Sequence, residues 1–441
     1  MPAGASVAVE SDFTPRKLRK GAVCLMGQSL GTSLLAFGAL TLVMLPMTEE
    51  FHWTRTQFSY AMAICIWCGA LTGPGLGRLV DHWGVRPTVL GGTAVVGIAT
   101  LAMSCIAHLW QFYLCFALAG AFDSGVFGYS KVIGATFTRN RGKAFAVVIA
   151  ITTMVSSIFP QLTNILLTRM GWRGAFAGLG ILILAAVVVL FFTLEEPGEP
   201  KRPSGRAEEG LPPMAVPAME GRTAAQVRRD RIFWTFVGTA VLTGAIGAGW
   251  GQHQVAFLMG RGFSRQQLVN ALSLAMFLSP LITMLGGWLV DRVQSAKIAA
   301  PFALFTAVGI LGQVFVSASR GGTPLVFVSI YLGMIVMSAQ IPMMQYFCSR
   351  YFGMKAFGEI YGSLTSILAV VMGFSPPLIA MLYEHTGSYN IALILMIAGD
   401  LAAALLFLTV GRYRYRVDSK PSTPATEPEM PAIAGARRRA D

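Results

Sequence analysis

Gly77-Arg78-Leu79-Val80-Asp81-His82-Trp83-Gly84-Val85-Arg86-Pro87 is echoed 210 positions on by Gly287-Trp288-Leu289-Val290-Asp291. Each copy closes an apolar run and opens a short polar turn. The same shift lays Trp53-Thr54-Arg55-Thr56-Gln57 on Phe263-Ser264-Arg265-Gln266-Gln267 without a gap. Slightly further along, after a drift of two residues, Lys143-Ala144-Phe145-Ala146 falls on Lys355-Ala356-Phe357-Gly358 at a shift of 212. Matches that stay in register over this distance mark the chain as an internal repeat of two halves.

The material between these matches is suited to lipid. Of 441 residues, 54% are hydrophobic and 12% charged, where a soluble domain carries about a quarter of its residues as charges. A helix needs about 20 apolar residues to cross the hydrocarbon, because every peptide group must bond within its own segment there. Twelve stretches, from 22–45 to 389–411, meet that length. The predicted fold class is an all-α membrane protein of twelve transmembrane helices in two six-helix bundles, 22–194 and 232–411, with both termini cytoplasmic. Segment 195–231 crowds Pro, Glu and Arg together and reads as a cytoplasmic linker; 1–21 and 412–441 read as cytoplasmic tails, the second disordered. The first apolar stretch follows Arg16, Lys17, Arg19 and Lys20 but is too long for a signal core, so it is expected to stay as a helix.

A net charge of +13 would suit a nucleic-acid partner if the cations shared one face. They fall instead on alternate loops, which fixes orientation in a bilayer and argues against nucleic acid. Lys131 is the cation left over, inside an apolar stretch. All six Cys lie in apolar stretches, and Cys65-x-x-Cys68 lacks the βαβ setting of a redox motif. There is no G-x-x-x-x-G-K-[ST] loop for a nucleotide, and the five His are scattered, so neither an ATP-driven pump, an enzyme, a metal nor a cofactor is expected.

The quoted loop, Gly77 to Pro87, resembles the loop 2-3 signature of the major facilitator superfamily, and Asp291-Arg292 resembles its second copy. Arg141-Gly142-Lys143-Ala144 and Arg350-Tyr351-Phe352-Gly353 are similar to loops of its bacterial monocarboxylate and oxalate/formate carriers. The resemblance implies a secondary active transporter in the cell inner (plasma) membrane, with its site between the halves near mid-membrane. The substrate would be a small organic anion, a carboxylate moved with a proton by alternating access, through a monomer. A drug or metabolite/proton antiporter of the same fold and a carboxylate exchanger remain open. Animal monocarboxylate carriers place an Asp and an Arg in helix eight, whereas 266–290 here carries no charge.

Asp81 is expected to latch the halves by meeting the N-terminus of helix eleven, whose free N–H groups carry partial positive charge. Asp291 would do the same at helix five. Gly77, Arg78, Gly84, Arg86, Arg141, Arg292 and Arg350 belong to these loops. Within the membrane, Asp123 and Lys131 each cost about 2.5 to 3.5 kcal/mol to insert. On a continuous helix four they would stand about 12 Å apart along the axis and about 80° apart around it, too far to pair. Lys131 either lines the cavity and neutralises a carboxylate or snorkels to the cytoplasmic edge. Asp123 either exchanges a proton or packs as a hydrogen-bonded acid. Tyr129, Gln28, Gln161, Asn164, His253, Gln340 and Gln345 are polar residues in apolar helices, able to orient a ligand or to bond neighbouring helices. Asp400 has no evident partner.

Overall fold

The computed structural model describes residues 14–136, 141–196, 221–318, 322–353 and 355–415. The first half runs through α1 (Pro15–Ser29), α2 (Leu40–Phe51), α3 (Arg55–Trp83), α4 (Val85–Ala102), α5 (Leu109–Phe122), α6 (Gly125–Thr136), α7 (Arg141–Ser156) and α8 (Ile158–Thr193). The second runs through α9 (Ala224–Arg228), α10 (Arg231–Ala240), α11 (Ile246–Met259), α12 (Arg265–Arg292), α13 (Ala300–Phe315), α14 (Gly322–Gly333), α15 (Ile335–Phe352), α16 (Phe357–Thr386) and α17 (Asn390–Thr409). The chain is helical throughout these segments. Outward faces stay apolar, with Phe192 80%, Leu71 81% and Phe315 70% exposed, as a lipid-facing surface requires.

Among the described residues, nine helical runs are long and apolar enough to cross a membrane. The difference from twelve has three local causes. The stretch 22–45 is interrupted: α1 ends at Ser29, and a π-helical turn over Leu34–Ala39 leads into α2. The stretches 143–167 and 174–194 join in α8, which bends where Gly171 takes φ +69. The stretch 325–349 is split between α14 and α15, with Met334 between them. Helix four is divided in the same way. Asp123 ends α5 at φ −70, ψ 83, so the geometry expected of a continuous helix from Asp123 to Lys131 does not apply.

The repeat is visible in the backbone. Thr54 and Gln57 cap each other at the start of α3, with Gln57 N donating to Thr54 Oγ1 at 3.1 Å. Ser264 and Gln267 repeat this at α12, with Gln267 N donating to Ser264 Oγ at 3.3 Å. Each pair satisfies two otherwise free N–H groups. A π turn in Leu34–Ala39 has its counterpart in Val241–Ala245.

Three segments differ from the predicted boundaries. Helix formation starts at Pro15, inside 1–21, because Thr14 accepts from Lys17 N at 3.4 Å and Pro15 has no N–H to satisfy. Within 195–231, α9 and the Asp230 cap are ordered. In the tail, Tyr413 packs on Tyr346 and Tyr351, with ring centroids 5.8 and 5.3 Å away. The rest of the linker, the tail beyond 415 and residues 1–13 lie outside the described residues. Arg19 pairs with Glu195 at 2.7 Å, so the first helix and the linker share one end of the bundle, here called the linker end.

Candidate functional site

Helices of both halves enclose a cavity of about 240 Å³. The first half contributes Ala36, Leu40 and Thr41 from the interrupted first helix, Met62 and Ile66 from α3 and Pro160 from α8. The second contributes Thr243, Trp250, Gln252 and Gln254, then Met276, Thr306, Met334, Met337, Met372, Met396 and Asp400. The π turns at Leu34–Ala39 and Val241–Ala245 bring the first and seventh predicted helices to the wall. Six Met side chains give it a soft, adaptable apolar surface. Gln254 donates to Gln313 Oε1 at 3.0 Å, and Trp250 Nε1 donates to the same oxygen at 2.9 Å, which fixes that side of the wall. Gln252 Nε2 donates to Ser59 Oγ at 3.3 Å, while its Oε1 is buried without a partner. Among the described residues lining the cavity, Asp400 is the one ionisable group; no Lys, Arg or His reaches it. Asp400 is 3% exposed, at the middle of α17.

Away from the linker end, the halves are joined. Thr41 Oγ1 donates to Gln252 O at 3.1 Å, and Thr56 N donates to Glu384 Oε1 at 2.8 Å. Arg55 donates to Tyr389 Oη and lies 4.0 Å above the Tyr383 ring. Since Arg55 has only donors, the Tyr389 hydroxyl is free to donate to His253 Nδ1, 3.3 Å away. His253 Nε2 then carries the hydrogen and donates to Pro376 O at 3.0 Å, with Ser59 Oγ at 3.4 Å. A second cluster joins α8 to α12. Gln161 Nε2 donates to Asn270 Oδ1 at 2.8 Å, and Asn164 Nδ2 donates to Gln266 Oε1 at 2.6 Å.

At the linker end, no hydrogen bond crosses between the halves among the described residues. A Cβ added at Gly77, Gly287 or Gly358 would meet nothing within 4 Å. The loop acids lie within their own halves, and Asp81 is paired there. Asp81 Oδ1 takes Lys131 Nζ at 2.8 Å, and Lys131 also donates to Val80 O at 3.3 Å. Asp291, near the end of α12, lies near Tyr346 of α15 in its own half. This corrects two expectations. Asp81 does not meet the start of α16 in this state, and Lys131, 41% exposed, does not line the cavity but reaches to the linker end along its stem.

The remaining residues picked from the sequence lie as follows. Asp123 stands between two broken helices: Oδ2 accepts from Thr32 N at 3.3 Å and from Thr32 Oγ1, and Oδ1 accepts from Gly125 N at 3.4 Å. It serves backbone freed by the breaks rather than the cavity. Tyr129 is wholly buried against Gly27, where a Cβ would clash with its ring. Gln28 is half-buried outside the cavity wall, and Gln345 is exposed beside Tyr361. Gln161, Asn164 and His253 belong to the closed end rather than to the wall. The side chains of Gln340 and Arg141 lie outside the described residues. Arg78 is exposed. Arg86 N donates to Glu196 Oε1 at 2.7 Å, and its guanidinium lies 4.9 Å above Phe191. Arg292 stacks 4.1 Å above Trp288, and Arg350 stacks over Tyr346 and Tyr413 at 5.4 and 5.3 Å. Gly84, at φ +95, sits where a Cβ would come 2.8 Å from Glu196 Oε1, so turn and carboxylate both demand glycine.

Sequence reasoning missed Gln252, Gln254, Trp250 and the Met-rich wall. A signal existed only for Asp400, an acid in the middle of an apolar run.

Human monocarboxylate transporter 11 is 22% identical over 393 residues, covering 86% of this chain and 80% of the relative. Human monocarboxylate transporter 2 is 27% identical over 164 residues, 36% of this chain and 34% of the relative. The fujikurins efflux protein of Gibberella fujikuroi is 25% identical over 171 residues, 36% and 37%. A bacterial homologue of the human lysosomal transporter Spinster, solved in an inward-facing and occupied conformation, superposes with a TM-score of 0.65. It is 13% identical and covers 90% of this chain and 95% of its own, so it speaks for the fold alone. Residues 29–376 match the family described as the Major Facilitator Superfamily, and with its paired helical halves and central cavity the chain belongs to that superfamily, as a multi-pass membrane transporter and not an enzyme.

Proposed function

We propose that the protein is a secondary carrier of small monocarboxylic acids with apolar bodies, each moved together with a proton. The observation that carries this reading is the cavity wall: six Met, amide and hydroxyl groups, and one carboxyl, with no cation among the described residues. A bare carboxylate would lose its hydration there without a counter-charge, which is costly. The same solute accompanied by a proton brings no net charge. The length over which the chain matches a monocarboxylate transporter supports the solute class. The cavity of about 240 Å³ is small beside ordinary ligand sites of about 300–1,000 Å³, which suits a small solute.

In this reading twelve helices cross the plasma membrane, a monomer suffices, and the cation-rich linker end faces the cytoplasm. Closure of that end would have Asp81 leave Lys131, and both Asp81 and Asp291 move to the N-termini of helices in the opposite half.

Proteoliposome uptake across mono-, di- and aromatic carboxylates, with and without an inward proton gradient, tests this. The expected result is gradient-driven accumulation of a monocarboxylate. Absence of carboxylate flux overturns it. A second reading, export of an apolar metabolite or organic cation in exchange for protons, is favoured by the acid in a cation-free wall; flux of organic cations in the same vesicles would establish it.

A further inference from the structure

We propose that Asp400 binds the solute's carboxyl through a shared proton and thereby couples solute to proton, an assignment that rests on the carboxylic-acid reading above. Asp400 lines the cavity, is 3% exposed, and has neither a hydrogen-bond partner nor an ion pair among the described residues. Buried polar groups are ordinarily partnered, so an unpartnered one in a cavity wall indicates a ligand. Gln252 gives a second sign, because its Oε1 in the same wall is also buried and unpartnered.

Nothing else near Asp400 supplies charge. Of the elements packed against α17, α13 and the Val241–Ala245 turn carry no titratable side chain. Arg231 on α10, Lys297, and Glu359 and Tyr361 on α16 lie towards the linker end, while Tyr383, Glu384 and His385 lie at the far end of α16. Two carboxyl groups at hydrogen-bond distance cannot both be ionised and instead hold a proton between them. With Asp400 ionised when the cavity is open to water, a carboxylate reaching it stays only if a proton arrives with it. The proton comes from water on the side where the solute enters and leaves with the solute on the other side. One carboxylate and one proton cross, and the charge of the carrier is the same loaded and empty.

The test is transport by purified wild type, Asp400→Asn and Asp400→Ala in proteoliposomes, with monodispersity in detergent checked first. The side-chain amide of Asn donates to a carboxylate without needing a proton. Asp400→Asn is expected to keep counterflow exchange with KM within about threefold, yet to lose accumulation driven by a proton gradient. Asp400→Ala removes the partner, and its KM is expected to rise about tenfold or more. Gradient-driven accumulation by Asp400→Asn at the wild-type level, or an unchanged KM in Asp400→Ala, overturns the assignment. Failure of the carboxylate reading is seen separately, as absence of carboxylate flux in the wild-type arm, and removes this proposal with it.

Discussion

At the scale of single residues, two intramembrane charges have roles of different weight. Lys131 and Asp81 form a half-exposed pair at the linker end, and such pairs contribute about 0–1 kcal/mol. Lys131→Gln is therefore expected to leave KM within about fivefold in an uptake assay. A complete loss of binding would return Lys131 to the cavity. Asp123 is held more deeply by its neighbours, since it accepts from Thr32 and Gly125 where two helices are broken. Asp123→Ala leaves those donors without an acceptor, at a cost of about 1–3 kcal/mol, which should appear as a lower Tm in detergent. Asp123→Asn keeps one acceptor and should melt closer to wild type. The sequence shows that both charges need partners. It does not show which ones, because partners come from other helices and depend on how far each stem reaches.

Among the elements, α10 has a pH-sensitive foot. Asp230 caps it, accepting from Ile232 N at 3.0 Å, and pairs with Arg222 and with Arg414 of the tail. Burial pushes the Asp230 carboxyl up, but the Ile232 N–H and the Arg414 and Arg222 guanidiniums outweigh it and hold it below the ordinary carboxylate range. A folded value below the unfolded one means that the group stabilises the fold above about pH 4. That contribution is lost as pH falls through the folded value. Melting of wild type and Asp230→Asn between pH 6 and 3 should converge at the acid end, with wild type the more stable at pH 6. The starts of α3 and α12 were legible as a match, because the repeat lays Thr54–Gln57 on Ser264–Gln267; that both are capping boxes is a finding of the structure. The interruptions were not legible. Residues 30–33 and 123–124 contain no Pro, and the breaks persist because the Asp123 carboxylate takes up the freed N–H groups of Thr32 and Gly125. The repeat reaches even here: Gly333, at the end of α14, stands 210 positions after Asp123, so the break recurs without the charge.

For the whole molecule, the far end is sealed and the linker end is open. A membrane-impermeant thiol reagent on the linker side should label Gly358→Cys and spare Ser59→Cys, which sits beneath His253. Tyr389→Phe removes both the acceptor for Arg55 and the donor to His253, so labelling of Gly358→Cys should fall as the sealed end loosens and the open end closes. Protection unchanged in that double variant would show that the contact does not hold the seal. The two-half architecture could be read from the repeat because the loops that carry it face water. The cavity could not, because Met and Gln in a wall look like Met and Gln in any apolar helix until the halves are apposed.

Asp81 is engaged with Lys131 while the linker end stands open, so the closure proposed above would part a solvent-exposed ion pair. Salt weakens such a pair, with a screening length of about 8 Å at physiological ionic strength. On that proposal the ionic strength of the compartment that bathes the linker would bias which way the carrier faces, within the about 0–1 kcal/mol the pair contributes: dilute solution favours the side open at the linker, and concentrated solution weakens that preference.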